Sequence, residues 1–255
     1  MAETHELSAA ELARQIRDRK ITSVEVAQSF LARIDALEPS LDAWVRVDRE
    51  TVLSDAQQRQ AELESGAATG PLHGVPIGIK DIYHIAGIPT TAGSKVYANY
   101  VPGATAVTID LLRKAGAIML GKTVTTEFAC LDPSHAKNPW NPAHTPGGSS
   151  SGSAVSVAAR MCPIAMGSQT VGSVLRPASY NGIVGLKPTY GRVSRRGVVP
   201  VSWSLDTVGW MGRTVEDMAL LLQVMAGPDE LDPVASKLPA GDYLSDLESA
   251  KTPKI

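Results

Sequence analysis

At 255 residues, 44% hydrophobic and 20% charged, the chain is long and apolar enough for one large globular domain or two small ones with a sizeable core. A formal net charge of −2 excludes the basic footprint of a nucleic-acid or anionic-membrane binder. The two cysteines, Cys130 and Cys162, form no CxxC pair, which argues for free thiols in a reducing compartment rather than a disulfide framework.

The opening stretch "MAETHELSAAELARQIRDRK" is charged and lacks the apolar centre of a signal peptide. No apolar run reaches the roughly 18 residues that a membrane span needs, so the expectation is a soluble, cytoplasmic protein. "SAAELARQIRDRK" predicts a first helix, with Ser8 and Glu11 at capping-box spacing. Thr22 and Glu25 repeat that spacing, and "VEVAQSFLARIDAL" follows with helical periodicity. A third helix is expected over "TVLSDAQQRQAELES", ending near Gly66. Residues 1–66 thus read as a helical arm and residues 67–255 as the chemistry-bearing core, the two together forming one domain.

In the core, "PLHGVPIGIKDIY" predicts a short apolar strand, Val75 to Ile79, running into Lys80 and Asp81. "ATAVTIDLLRKAG" is a helix stopped by Gly116, and "AIMLGKT" is the next strand. Residues 131–153, rich in Pro, Gly, Ser and Asn, read as irregular. A small-residue helix "AVSVAARM", a strand "CPIAMGSQ", a strand and turn in "GIVGLKPTYGRV" and a helix "TVEDMALLLQVMAG" complete the pattern. Strands alternating with helices predict an α/β fold.

Inside the irregular region lies "TPGGSSSGSA", residues 145–154, which is neither a good helix nor a good strand by composition. Its "GSSSG" satisfies the nucleophile-elbow pattern with Ser150 as nucleophile. That arrangement needs a histidine after the serine, whereas His5, His73, His84, His135 and His144 all precede it. "GAIMLGKT", residues 116–123, satisfies the phosphate-loop pattern, but its middle residues read as the strand itself and a helix precedes it, the wrong context. His135 and His144 flank a proline-rich loop without carboxylates or cysteines at ligand spacing, so no metal is expected.

Three separated pieces make a more coherent set. Lys80 ends an apolar strand, where burial would disfavour its ammonium form and lower its pKa. The serines at 149–151 and Ser173 in "GSQTVGSVLRP" supply hydroxyls among small residues. A neutral lysine activates serine in Ser-Lys variants of the catalytic triad, and successive N–H groups beside Ser173 would form an oxyanion hole. From the residues alone, a solvated strand-end lysine and loop-forming serines remain an open alternative.

At these positions the sequence resembles the amidase signature family, from about Leu7 to about Gly227. The resemblance is carried by "PLHGVPIGIKDIY", "NPWNPAHTPGGSSSGSAVSVAA", "GSQTVGSVLRPASYNGIVGLKPTYGRVS" and "SLDTVGWMGRTVEDMALLL". It implies a Ser-Ser-Lys catalytic unit. By that likeness Ser173 would be the acylated nucleophile and Lys80 the base. Ser149 would be the relay, following an unusual cis bond from Gly148. Thr170, Val171, Gly172 and Ser173 would donate to the oxyanion, and Ser150 and Ser151 would support by hydrogen bonding. The implied fold is a mixed β-sheet covered by helices on both faces. The implied activity is hydrolysis of a small-molecule carboxylic amide through an acyl-enzyme, with no cofactor, no metal and no direct nucleic-acid partner. A homo-oligomer is compatible with this reading.

The sequence departs from the family in three ways. Many members read Asp-Thr-Gly-Gly-Ser where this chain has "QTVGS", with Gln169 and Val171. The A subunit of tRNA-dependent amidotransferases carries arginine two residues after the nucleophile, where this chain has Leu175, with Arg176 one further on. That difference favours a stand-alone amidase over a glutaminase subunit with amidotransferase partners, and a catalytically silent fragment is the alternative from another class. Lastly, the family domain continues past the position of "SAKTPKI", so the fold is expected to be C-terminally incomplete, with an open strand edge that promotes self-association and weak activity.

Overall fold

The computed structural model describes residues 3–67 and 69–249. The expected capping boxes open the first two helices, α1 (Ala9–Arg17) and α2 (Ser23–Leu41), with Ser8 paired to Glu11 and Thr22 to Glu25. Each such cap is worth about 1 kcal/mol. A short strand β1 (Trp44–Arg46) follows, then α3 (Arg49–Glu64), capped by the Asp48 side chain. The buried faces of α1 and α2, including Leu12, Ile16, Val26 and Phe30, share one apolar cluster with Ile77, Ile164, Trp210 and Leu221 from the rest of the chain.

The remaining elements are β2 (Pro76–Lys80), α4 (Val107–Lys114), β3 (Ile118–Thr123), α5 (Ser151–Ala158), β4 (Ile164–Gln169), α6 (Leu175–Asn181), β5 (Val184–Leu186), β6 (Thr207–Gly212), α7 (Val215–Met225) and α8 (Tyr243–Ser249). They build a six-stranded mixed sheet of order β1-β3-β2-β4-β6-β5, covered by helices as the α/β pattern predicts. The central strands β3, β2 and β4 run parallel, and β1, β6 and β5 join by antiparallel pairing. Parallel β2 and β4 therefore end side by side at Lys80 and Gln169, and antiparallel β6 begins there, Thr207 pairing with Gln169. Ligand sites of parallel sheets lie outside such carboxyl ends.

Two readings need correction. The irregular stretch ends earlier than expected: α5 begins at Ser151, so Ser151, Gly152 and Ser153 are helical. Tertiary packing overrides their weak propensity. A β-carbon on Gly152 would lie 2.2 Å from the Ala43 carbonyl oxygen and 2.4 Å from the Val124 nitrogen, so only glycine lets the helix dock there. The other correction is a set of elements absent from the expected ones: β1, α6, α8 and, beside the site, β6. All six residues of β6 are buried, and a strand covered on both faces has no alternating signal.

Candidate active site

Lys80 closes β2 with no solvent exposure. Its Nζ donates to Ser149 Oγ at 2.7 Å and to Ser168 Oγ at 2.9 Å. Among the described residues no carboxylate forms an ion pair with it. Burial therefore pulls its pKa from 10.5 down to about 7, with the negative charge of Asp206 opposing. Near neutrality a large share of Lys80 is the free amine.

The serine run sits over this amine. The Gly148–Ser149 bond is cis. The Gly148 carbonyl accepts from Arg176 Nε at 3.1 Å and Nη2 at 2.7 Å, and the Ser149 carbonyl accepts from the Thr126 N–H at 3.1 Å. Ser150 is fully buried, its hydroxyl held between the main-chain N–H (3.3 Å) and carbonyl (3.4 Å) of Ser168. That placement disfavours Ser150 as an elbow nucleophile and suits a supporting role. Ser151 accepts a hydrogen bond from Ser134 Oγ at 2.6 Å, away from Lys80.

Ser173 lies in the turn between β4 and α6, partly exposed. Its carbonyl accepts from the Ser150 N–H at 3.3 Å, which ties the two serine segments together through the main chain. Its hydroxyl makes no hydrogen bond with Ser149 among the described residues, so the structure forms the Lys80–Ser149 link and leaves the Ser149–Ser173 link open. In the same turn the N–H groups of Thr170, Val171, Gly172 and Ser173 have no acceptor among the described residues. Thr170, Gly172 and Ser173 are only partly buried and Val171 is exposed, so these four N–H groups belong to a solvent-accessible turn beside Ser173.

The phosphate-loop match resolves into strand β3. Lys122 within it is buried and spoken for, donating to Tyr83 O at 2.9 Å and pairing with Asp81 Oδ1 at 2.6 Å. His135 lies against Asp42 at 2.7 Å. A cavity of about 280 Å³ borders the site through Ser168 and Asp206, with Val199, Val201 and Trp203 on its wall. A second, of about 180 Å³, lies on the side of Gly148 and Arg176.

The amidase family profile matches residues 25–255. The chain belongs to the amidase signature family. Among curated relatives, the A subunit of the glutamyl-tRNA(Gln) amidotransferase of Carboxydothermus hydrogenoformans is 46% identical over 251 residues, 96% of this chain and 52% of that one. The structure of native peptide amidase from Stenotrophomonas maltophilia matches with a TM-score of 0.89 at 39% identity, over 95% of this chain and 53% of that one. A structure described as a vestigial protein complex revealing the origins of an s-triazine catabolic enzyme matches with a TM-score of 0.91 at 34% identity, over 94% of this chain and 54% of that one. The chain spans about half the length of the curated relatives it matches.

Against the amidase signature pattern, the departures have structural accounts. Gln169 Oε1 accepts from the N–H groups of Val174 and Leu175, both at 3.0 Å, satisfying donors at the start of α6, while its Nε2 donates to the Val171 carbonyl at 3.1 Å. Val171 is 85% exposed. Arg176 spends its guanidinium on the Gly148 carbonyl, as described above.

Two residues near the centre escaped the sequence reading. Ser168 shares the Lys80 amine with Ser149, and Asp206 accepts from Thr170 Oγ1 at 2.5 Å. The first serine of "GSQTVGS" and the acid of "SLDTVG" are visible as letters. Only the pairing of β4 with β2 and β6 brings them to Lys80 and Thr170.

Proposed function

We propose that this chain carries the catalytic centre of an amide hydrolase acting through Ser173, Ser149 and Lys80. The observation that carries the reading is the amine of Lys80, wholly buried, bonded to two hydroxyls and without a carboxylate partner. Neutral Lys80 takes the proton of Ser149 as Ser149 takes the proton of Ser173. Ser173 Oγ then attacks the amide carbonyl. The N–H groups of residues 170–173 hold the oxyanion. Collapse of the tetrahedral adduct returns the proton through Ser149 to the leaving nitrogen, giving ammonia or an amine and an acyl-Ser173. Water, activated along the same path, releases the acid. The open Ser149–Ser173 contact is compatible with this sequence, since catalytic hydrogen bonds are often long without substrate and tighten when it binds.

Fluorophosphonate labelling tests the assignment. Ser173→Ala is expected to abolish labelling and amide hydrolysis, whereas Ser150→Ala keeps labelling. Full labelling of Ser173→Ala with loss in Ser150→Ala would overturn it, and an unlabelled wild-type protein would favour a catalytically silent fragment. A screen of aliphatic and aryl amides then defines the acyl and amine parts.

The identities support a second reading as strongly. The relatives at 42–46% identity are amidotransferase A subunits, so this centre would then serve as a glutaminase that passes ammonia to a partner. Co-purification with partner subunits and a preference for glutamine over simple amides select this reading; a partner-free amidase with no glutaminase activity selects the first.

A further inference from the structure

Asp206 is the residue immediately before β6, and its carboxylate joins two separate parts of the site. Oδ1 accepts from Thr170 Oγ1 at 2.5 Å. Oδ2 accepts from the N–H groups of Val201 at 2.7 Å and Ser202 at 2.9 Å. Its own N–H donates to the Ser202 carbonyl at 3.1 Å. Thr170 opens the run of four unpaired N–H groups, and Val201 and Ser202 line the cavity of about 280 Å³ together with Asp206 and Ser168.

The turn's other anchors lie beyond Thr170. Gln169 holds the Val171 carbonyl, the Arg176 N–H holds the Gly172 carbonyl at 2.9 Å, and the Ser150 N–H holds the far end through the Ser173 carbonyl. At the near end the tie through the Thr170 side chain goes to Asp206. The other charged groups on this cavity are Arg195, Arg196 and Asp232. Arg195 pairs with Asp232 at 3.4 Å and Arg196 with Asp229 at 3.0 Å. Asp206, by contrast, bonds only neutral donors among the described residues, so no paired cation offsets its charge beside the site.

We propose that Asp206 is a positioning residue that fixes the Thr170 end of the oxyanion turn against the 201–202 wall of the cavity, so that one carboxylate sets both the donors and the space that the substrate enters. This rests on the amide-hydrolase reading. Because the same charge favours the ammonium form of Lys80, its removal also lets Lys80 lose its proton at lower pH.

The test compares Asp206→Asn, Asp206→Glu and Thr170→Val with the wild-type protein, following the rate of fluorophosphonate acylation of Ser173 against pH. Native fraction is measured in parallel by near-UV circular dichroism. A shift of catalytic groups by about 1 Å costs roughly a hundredfold, so Asp206→Asn and Thr170→Val should both lower the high-pH plateau by about tenfold to a hundredfold. Asp206→Asn should also move the acid limb to lower pH, Thr170→Val should leave that limb in place, and Asp206→Glu should restore it with part of the plateau. Wild-type acylation by Asp206→Asn overturns the proposal and spares the amide-hydrolase reading. So does a plateau loss that merely follows the native fraction with an unmoved limb. Absence of acylation in the wild-type protein at every pH overturns both.

Discussion

Lys80 and Lys122 are buried lysines on neighbouring parallel strands, and the register pairs Lys80 with Thr123 and Lys122 with Ile79. Paired residues of a sheet share a face and successive residues alternate, so the two amines leave the sheet on opposite faces. Lys122 meets a carboxylate, Asp81, and the carbonyl of Tyr83. Lys80 meets the hydroxyls of Ser149 and Ser168. Burial lowers the pKa of both, and Asp81 opposes that shift at Lys122 far more directly than Asp206 does at Lys80. Burial alone thus does not make a base; the partner decides whether a hidden lysine is a structural cation or a proton acceptor.

Substitution should separate the two. Lys80→Arg keeps a charge that cannot be given up, and turnover is expected to fall by about 10³-fold or more, as for members of a cooperating catalytic unit. Near-normal turnover would exclude a base role for Lys80. Lys80→Met should be equally inactive yet melt no lower than the wild type, since no partner charge is orphaned. Lys122→Met strands Asp81, and breaking a buried pair in this way costs about 3–5 kcal/mol. Calorimetry should show a melting temperature lower by roughly 10 °C, at about 2–4 °C per kcal/mol for a chain near this size. An unchanged melting temperature in Lys122→Met would erase the contrast.

Titration sharpens it further. Folded Lys80 holds its proton to about pH 7, against 10.5 when exposed. Activity should therefore rise on a limb centred near pH 7 as the amine becomes free. Between the two values the unfolded chain binds the extra proton, so stability should rise with pH across that window by up to about 1.4 kcal/mol per unit. Denaturant titrations at several pH values would show this slope in the wild type, and Lys80→Met should flatten it. The smallest effect is expected at Ser168→Ala, which leaves Ser149 on the amine: about a several-fold loss of turnover, the scale of one modest hydrogen bond. A loss as large as that of Lys80→Arg would make Ser168, not Ser149, the relay.

Much of this was legible in the sequence because local signals carried it. Ser8 with Glu11 and Thr22 with Glu25 specify helix starts within three residues, and the structure forms both boxes. A lysine after an apolar strand leaves burial and a solvated strand end both open from sequence, and the structure buries it. The hidden parts depend on long-range pairing. Ser168 reaches Lys80 across strands from 88 residues away, and Thr170 finds Asp206 36 residues on. The helical start at Ser151 depends on the missing β-carbon of Gly152 against Ala43 and Val124, which no propensity scale can see.

The docking of α1 on α7 also bears on synthesis. The Ala10 N–H donates to Asp217 Oδ1 at 3.0 Å in a buried bond that closes 207 residues of chain, and Arg14 pairs with Glu216 beside it. Leu12 and Ile16 are fully buried in the finished protein, with Met218 and Leu221 of α7 in the same apolar cluster. A ribosome adding about 5–20 residues per second needs roughly 10–40 s to go from Ala10 to Asp217. Throughout that interval the apolar stripe of α1 is on the nascent chain without its final cover, a window in which a chaperone that binds exposed apolar helix would find this chain.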